Sequence, residues 1–451
     1  MNILDFFPSG LTPDKGQKEL LLAYAALPPG MQVVVLNVPV AGGKTPLAHT
    51  IGAYEEHING GGATFIAPTT QLVKQAFSET MGQLGWQMAP YKNAARSVPW
   101  ETAKKQFSEW PLKMGNYMGY LANRAYSRCL IVDEAHTLRS FLQDFEGMKL
   151  WYHLTPWPLS IKTLDEFLMW LVTDTEAGEH KKLRKLLSRD PTSYILERGR
   201  EEYRGVEQEF LRIVPLTPKN NKPILWPPSK VKRIILLSAT FSSEDLSDIG
   251  LDKRWTAWLS MASRIAISQR PFIYDPCAHP TYGRQAEIAK LAAGCEALAS
   301  HHVGERGLIH TTYALSSQLR PLLKDGRFIF HTKENKEAAF SRWQASPDGV
   351  LIASGMHEGI NLKYDRARWQ AIGKIVWPSV ACEAVRVKRD ARPEWYYWEA
   401  LKICMQAYGR VCRMPDDYGV TYMLTSEWPR LYKECLARGL VPRWFSEAVI
   451  Q

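Results

Sequence analysis

Two carboxylates end an apolar run at residues 130–136, Leu-Ile-Val-Asp-Glu-Ala-His. An apolar run of this kind is typical of a buried parallel strand, and the carboxyl ends of such strands are where open α/β sheets bind ligands. We therefore expect Asp133 and Glu134 to emerge at a ligand-binding edge. One carboxylate can hold Mg²⁺ while its neighbour polarises a water, which is the division of roles that phosphoryl transfer requires. An ordinary strand end with acidic residues gives the same pattern, so a second signal is needed.

The second signal lies upstream, in the segment 37–45, Asn-Val-Pro-Val-Ala-Gly-Gly-Lys-Thr. Gly42 and Gly43 allow backbone N–H groups to approach phosphate oxygens. Lys44 can reach the β- and γ-phosphates, and the hydroxyl of Thr45 can bind Mg²⁺. The sequence thus predicts ATP and Mg²⁺ as cofactors.

This phosphate loop departs from the strict GxxxxGK[ST] pattern, because Val38 stands at the first glycine position. A chance Gly-Gly-Lys-Thr in a turn is the alternative, and the acidic strand end argues against it. Further upstream, the amide of Gln17 could read both hydrogen-bonding edges of adenine.

The composition favours a polyanionic partner, since the net charge is +10 and the pI is about 9.1. Ordinary basic proteins share these values, so charge alone does not assign nucleic acid. The seven cysteines are scattered without a CxxC pair, which predicts a reducing, cytoplasmic compartment. No apolar stretch reaches the length of a membrane span, and the N-terminal residues lack the pattern of a signal peptide. We expect a soluble protein without a membrane partner.

The order of apolar runs predicts an α/β fold with two parallel-sheet domains in tandem. The first series of strands is expected at 31–40, 63–68, 130–135 and 234–240, and the second at 307–313, 327–332, 349–354 and 373–378. Between them, residues 141–230 read as a mainly helical insertion with long charged and aromatic segments. The predicted domains are 1–140, the insertion 141–230, the end of the first domain at 231–265, and a second domain at 266–451.

Several short segments follow one another in a fixed order. They are Gln17, the phosphate loop, TFIAPTTQLVKQ, DEAH, Ser238-Ala239-Thr240, SGMHEGINL at 354–362 and QAYGRVCR at 406–413. With these motifs the chain resembles the superfamily 2 helicases, and within them it is most similar to the XPD/DinG group. The resemblance covers roughly residues 10–140, 230–245 and 300–430, and it implies that both α/β domains are RecA-like.

The resemblance implies a role for each matching residue of the nucleotide site. Asp133 would hold Mg²⁺ together with Thr45, and Glu134 would be the general base. His136 would couple the nucleotide to the second domain, and residues 238–240 would relay hydrolysis to strand binding. Three residues of the second domain would face the nucleotide and make hydrolysis depend on domain closure: Gln406, Arg410 and Arg413. A solvated basic helix face is the alternative for the two arginines.

Six further residues fall where similar motors bind the sugar-phosphate backbone, a contact that is independent of base sequence. They are Thr69, Thr70 and Gln71 in the first domain, and Thr311, Thr312 and Tyr313 in the second. Polar caps at strand ends are the alternative for each. The aromatic segment 395–410 is expected to pack in the core rather than to stack on bases.

The chain also departs from the family. Many relatives carry four cysteines between the phosphate loop and the DEAH box, whereas residues 80–128 contain none, which predicts that there is no iron–sulfur cluster. Asn361 stands where the family has an acidic residue, and Glu358 is then the carboxylate of that loop expected to contact the nucleotide. The insertion is shorter than the family's arch. Its basic run at 181–185 would be a solvated face or a guide for DNA.

The sequence therefore predicts an ATP-hydrolysing DNA helicase that moves on single-stranded DNA and unwinds duplex, forked or branched DNA in replication, recombination or repair. We expect a monomer in the cytoplasm, or in the host cytoplasm if the protein is phage-encoded. An RNA helicase is the first alternative, since phosphate contacts barely distinguish the two sugars. An ATP-gated nucleic-acid clamp that does not unwind is the second.

Overall fold

The computed structural model describes residues 1–89, 100–124, 126–154, 156–173, 193–203, 206–217, 226–280, 284–356 and 362–450. These residues form two compact units. The first comprises 1–37, 44–259 and 379–391, and the second comprises 38–43, 260–378 and 392–451. The sequence-based domain boundaries remain predictions.

Seventeen strands lie in the described residues. They are β1 Val33–Asn37, β2 Ala63–Ala67, β3 Gln87–Met88, β4 Leu112–Asn116, β5 Cys129–Val132, β6 Met148–Trp151, β7 Tyr194–Tyr203, β8 Val206–Pro215, β9 Arg233–Ser238, β10 Thr256–Ser260, β11 Phe272–Ala278, β12 Gly307–Thr311, β13 Phe328–Ile329, β14 Val350–Ser354, β15 Trp369–Ile372, β16 Val420–Thr425 and β17 Val449–Ile450.

Fifteen α-helices lie in the same residues. They are α1 Lys15–Ala25, α2 Lys44–Asn59, α3 Thr70–Glu79, α4 Trp100–Glu109, α5 Tyr117–Asn123, α6 Leu138–Glu146, α7 Leu164–Thr173, α8 Ser243–Asp248, α9 Gln285–His301, α10 Tyr313–Leu319, α11 Lys336–Ala345, α12 Glu383–Ala391, α13 Pro393–Tyr408, α14 Trp428–Ala437 and α15 Arg443–Ser446. No helix of the described residues is long and apolar enough to cross a membrane.

The first unit is built on a seven-stranded sheet of order β10-β1-β9-β5-β2-β4-β3. The pairs from β1 to β3 in this order run parallel. Its strands are short runs of Val, Ile and Leu that are buried on both faces, as expected where helices cover a parallel sheet. Because the strands are parallel, β1, β5 and β9 end at the same edge.

The second unit is built on a seven-stranded sheet of order β13-β14-β12-β15-β16-β11-β17, again with parallel pairs. Its core joins α9, α10 and the strands through residues such as Leu291, Ile309 and Trp369. Two parallel-sheet α/β domains were predicted, and this fold class is confirmed.

One predicted strand of the second unit is wrong. Residues 373–378 are not a strand, and β15 lies just before them at 369–372. The strand β15 was not predicted because Gln370 interrupts its apolar pattern. Gln370 is fully buried, and its amide donates to the carbonyl of Tyr408 and to the hydroxyl of Thr421, each at 2.9 Å. A polar side chain with satisfied hydrogen bonds is compatible with a central strand.

The prediction of a mainly helical insertion is also wrong for its described part. Besides α7 and most of α6, this part contains an antiparallel sheet of order β6-β8-β7. The buried face of β8 carries Leu211 and Ile213, while Arg212 between them belongs to the opposite face. The charged residues of β7 and β8 therefore belong to strands and not to the predicted helices. The basic run at 181–185 lies outside the described residues.

Candidate nucleotide site

The phosphate loop connects the end of β1 to the start of α2. Ala41 and Gly43 both have a left-handed backbone, with φ of 63° and 74°. At Gly42 a Cβ atom would lie 2.5 Å from Cγ1 of Val38 and 2.9 Å from the carbonyl oxygen of Pro39. The loop therefore requires glycine at Gly42, and it leads into the amino end of α2, where unpaired N–H groups favour an anion. Thr45 is the second residue of this helix and is half-buried.

The two acidic residues follow β5 directly, at the edge where β1 also ends. Nζ of Lys44 donates to Oε1 of Glu134 at 3.0 Å. Glu134 has a left-handed backbone with φ of 47°, which is uncommon for a residue with a side chain and is frequent at functional sites. The fold thus brings together the lysine that is expected to bind phosphate and the glutamate that is expected to act as the base. Each of these residues was predicted from a separate motif.

Asp133 is half-buried and has an unusual electrostatic environment. Burial and the charge of Glu134 together raise its pKa to about 6, although Lys44 opposes the shift. Among the described residues, Oδ1 of Asp133 has no hydrogen-bond partner. A buried, unpartnered carboxylate oxygen fits a Mg²⁺ ion or one of its bound waters.

The described residues contain no group of three or more His, Cys, Asp or Glu side chains arranged to hold a metal. Mg²⁺ in nucleotide sites is usually bound by one or two protein side chains together with phosphates and waters. Asp133 and Thr45 are the residues that would hold it, and the ion would supply charge neutralisation at the phosphates.

His136 links the acidic pair to the end of β9. Its Nδ1 lies 3.4 Å from Oε2 of Glu134 and 2.9 Å from Oγ of Ser238. The same Oγ accepts the backbone N–H of Thr240 at 3.1 Å. A continuous chain of contacts therefore runs from Lys44 through Glu134 and His136 to the Ser-Ala-Thr segment.

Two residues of this site were missed by sequence reasoning. Tyr117, the first residue of α5, is buried and donates its hydroxyl to the carbonyl oxygen of Asp133 at 2.7 Å. Burial holds the pKa of this hydroxyl well above its usual range, so Tyr117 stays a donor. Asn37 ends β1, and its Oδ1 is buried without a hydrogen-bond partner among the described residues. Its only sequence signal is a polar residue that closes an apolar strand.

Gln17 lies in the first turn of α1 and is buried. Its Oε1 accepts the backbone N–H of Asp14 at 3.1 Å, while Oδ1 of Asp14 accepts the N–H of Gln17 at 2.9 Å. This reciprocal capping box fixes the side chain at the start of the helix. A contact between Gln17 and adenine remains a prediction.

The predicted strand-binding residues of the first unit lie at the start of α3. Thr69 caps this helix, and its hydroxyl accepts the N–H of Leu72 at 3.3 Å. The hydroxyl of Thr70 accepts the side-chain amide of Asn116 at 2.8 Å, and Gln71 is exposed. A capping role is therefore present at Thr69, and nucleic-acid contacts stay predictions.

The corresponding residues of the second unit follow β12. The hydroxyl of Thr312 caps α10 by accepting the N–H of Leu315 at 3.3 Å. Oγ1 of Thr311 is buried without a hydrogen-bond partner among the described residues, and the ring of Tyr313 packs edge-on against His331. These residues share one edge of the second sheet.

The QAYGRVCR segment begins on α13 and continues past its end at Tyr408. Gln406 is buried on the helix. Nε of Arg410 donates to the carbonyl of Gln406 at 3.0 Å, and Nη1 of Arg413 donates to that of Gly409 at 3.3 Å. Both arginines therefore lie beyond the helix and are not a solvated helix face.

The aromatic residues leading into this segment pack in the core, as expected, with Trp395 and Trp398 buried. Glu358, which is expected to contact nucleotide, lies outside the described residues, as does the rest of the segment 357–361.

Comparison with known proteins gives one family match and several structures of similar fold. Residues 308–442 match the family described as helicase C-terminal domain. No curated protein matches the sequence. Three solved structures share the fold over nearly the whole chain. Apo XPD has a TM-score of 0.61 and 16% identity, and the match covers 94% of this chain and 98% of that chain. An XPD helicase has a TM-score of 0.65 and 14% identity, with 95% and 99% of the two chains covered. Xpd4 of S. tokodaii has a TM-score of 0.64 and 13% identity, with 97% and 100% covered.

At these identities the structural likeness establishes the fold, while the helicase C-terminal domain is assigned by sequence. The predicted resemblance to the XPD/DinG group is thereby confirmed. Residues 308–442 match the helicase C-terminal domain family, and the chain as a whole has a fold similar to that of the three solved XPD structures.

Proposed function

We propose that the protein is an ATP-driven helicase that moves on single-stranded DNA and separates duplex, forked or branched DNA. The observation that carries the proposal is the contact of Lys44 with Glu134 at 3.0 Å, beside the unpartnered carboxylate of Asp133. A phosphate cation, a base and a metal ligand at one sheet edge are the parts that phosphoryl transfer needs.

Each residue has a role in this mechanism. Lys44 would hold the β- and γ-phosphates while the N–H groups of the loop surround them. Glu134 would accept a hydrogen bond from the attacking water and orient it, and Asp133 would hold Mg²⁺ against the phosphates. Bound Mg²⁺ would neutralise charge that develops on the transferring phosphoryl group.

Coupling to nucleic acid would use the chain of contacts from Glu134 through His136 to Ser238. A change in the position of Glu134 during hydrolysis would alter the hydrogen bond between His136 and Ser238, and with it the Ser-Ala-Thr segment. Arg410 and Arg413 would complete the nucleotide site and make turnover depend on nucleic acid.

A clamp that closes on ATP without unwinding is less well supported, since the chain retains Glu134 and both arginines. RNA is the competing substrate. Comparing the stimulation of ATP hydrolysis by single-stranded DNA and by RNA of the same length separates the two. The proposed function is tested by strand displacement on DNA forks with a 5′ or a 3′ tail, because this assay reports activity, direction and substrate together.

A further inference from the structure

A cleft of about 400 Å³ lies at the edge of the second sheet, next to the edge strand β13. Its size is within the range of small-ligand sites. Its described lining carries two positive side chains and no negative one, and consists of Arg320, Phe328, Phe330, Asn335, Ala338, Ala339 and Arg342. The electrostatics of the wall therefore favour an anion.

The two arginines differ from their neighbour Arg327. Arg327 is half-buried and lies between two carboxylates, 2.9 Å from Asp325 and 3.8 Å from Asp348. In contrast, neither Arg320 nor Arg342 has a side-chain hydrogen bond or an ion pair with any described residue. Both side chains are exposed. Two guanidinium groups thus retain their donors for a ligand.

An aromatic ring stands beside one of these cations. The guanidinium of Arg320 lies 5.0 Å from the ring centroid of Phe330, a cation–π distance. A nucleobase can stack on such an aromatic and guanidinium surface. Oδ1 of Asn335 accepts the N–H of Thr332 at 2.7 Å, which leaves the NH₂ group of Asn335 as a donor at the cleft wall.

Each arginine also has a local electrostatic explanation. Arg320 follows the last turn of α10 and Arg342 lies in the last turn of α11, where a cation complements the helix dipole. This accounts for a positive charge at each position. It does not account for the convergence of both on one cleft, or for the stacking of one on Phe330.

We propose that this cleft binds one nucleotide unit of single-stranded nucleic acid, apart from the predicted contacts at Thr311, Thr312 and Tyr313. The base stacks on Phe330 and Arg320, and the adjoining phosphate is held by Arg342. The inference rests on the proposed function in that the ligand is the same kind of strand. A planar guanidinium matches phosphate oxygens in two-point contacts, and a ring at the same wall suits a base better than an acidic peptide side chain.

The test uses the full chain with both arginines replaced, R320A/R342A, and with the ring replaced, F330A. A matched control is R438A/R443A, which removes the same charge from the same unit. Arg438 also stacks on an aromatic ring, that of Tyr397, at 5.5 Å, but it pairs with Glu434 at 3.0 Å. Binding of a fluorescent oligothymidylate is measured by anisotropy over a range of salt concentrations.

The arginine variant should bind the oligonucleotide about 10- to 100-fold more weakly, and the slope of log affinity against log salt should fall by about 0.7 for each phosphate that is no longer neutralised. F330A should weaken binding about 5- to 50-fold, in line with the removal of one stacked base, and should leave the slope unchanged. Basal ATP hydrolysis and the control variant should match wild type. Wild-type affinity and slope in R320A/R342A would overturn the proposal.

Two competitor ligands distinguish other occupants of the cleft. If R320A/R342A loses binding of thymidine monophosphate but not of the oligonucleotide, the cleft takes free nucleotides and the proposal fails. Loss of binding to a polyglutamate peptide alone would also overturn it. Strand displacement by the wild-type protein is measured in parallel. Its absence would refute the proposed function, whereas unchanged oligonucleotide binding in the variant would refute only the cleft.

Discussion

Polar residues are held in different ways at the candidate nucleotide edge of the first sheet and in the QAYGRVCR segment of the second unit. At the first edge, side chains contact one another, from Lys44 through Glu134 and His136 to Ser238. In the second unit, Arg410 and Arg413 donate to backbone carbonyls within their own segment. The groups proposed to act together in catalysis contact one another, while the arginines proposed to respond to nucleic acid make hydrogen bonds within their own segment.

Replacing Lys44, the proposed phosphate ligand, or Glu134, the proposed base, is expected to have the largest effect on ATP hydrolysis. Lys44→Ala should abolish hydrolysis, and Glu134→Gln should keep ATP binding while turnover falls by about 10²-fold or more. Steady-state phosphate release and fluorescent-nucleotide binding measure the two quantities. Both variants should still bind single strands, because the predicted strand contacts are built from other residues. Turnover near the wild-type rate in Glu134→Gln would exclude Glu134 as the base.

Replacing Arg410 or Arg413 should lower the turnover of ATP much more than the affinity for it. Arg410→Ala and Arg413→Ala are each expected to reduce strand-stimulated hydrolysis by about 10³-fold, as for cations that stabilise a transferring phosphoryl group, and to change nucleotide affinity far less. The measurement is ATP hydrolysis with and without single-stranded DNA. If both variants kept full stimulation, these arginines would not belong to the nucleotide site.

The contact between His136 and Ser238 should have an intermediate effect. Ser238→Ala removes the hydroxyl that lies 2.9 Å from Nδ1 of His136. Loss of a hydrogen bond worth about 1 kcal/mol corresponds to roughly a fivefold loss of strand stimulation, with basal hydrolysis nearly unchanged. Ser247→Ala is a suitable control, because among the described residues that hydroxyl donates to the carbonyl of Ser243 on its own helix, α8. Equal losses in both variants would assign the effect to folding.

The ionised side chain of Asp133 is expected to lower the free energy of unfolding of the protein. Its pKa is raised to about 6, which is above the pKa of an aspartate in the unfolded chain. The ionised carboxylate therefore destabilises the folded protein when the pH is above the pKa of the unfolded group. Asp133→Asn should therefore increase the free energy of unfolding at pH 8 by about 1–3 kcal/mol while abolishing hydrolysis.

The pH dependence provides the check on this prediction. As the pH falls from 8 to 5, wild-type Asp133 becomes protonated and the advantage of the asparagine variant should shrink. Urea denaturation at both pH values measures the difference in free energy of unfolding between the variant and the wild-type protein. An advantage that is equal at pH 5 and pH 8 would mean that Asp133 is not the titrating group.

The sequence was most informative where chemistry and strand ends coincide. Lys44 and Glu134 were predicted from two separate motifs, and the fold confirms their proximity because parallel strands bring their carboxyl ends to one edge. Tyr117 and Asn37 escaped prediction, since a tyrosine at a helix start and a polar strand end have many unremarkable roles. The hairpin β7–β8 escaped prediction because β7 carries a charged run at 197–202 that lacks the alternation of apolar and polar residues typical of a strand.

Glu358 and the basic run at 181–185 remain predictions, because they lie outside the described residues. Reversing the four basic charges of the run should weaken DNA binding and flatten its salt dependence if the run contacts phosphates. An unchanged salt slope would make it a surface feature only.

The central claim is that the contact of Lys44 with Glu134 belongs to an ATP-driven motor on single-stranded DNA. The most direct measurement is strand displacement on matched forks with one 5′ or one 3′ tail, comparing the wild-type protein with Glu134→Gln. We predict ATP-dependent displacement of one tailed fork by the wild-type protein and none by the variant, although both bind the fork. Equal displacement by the two proteins, or none by the wild type on either fork, would contradict the account.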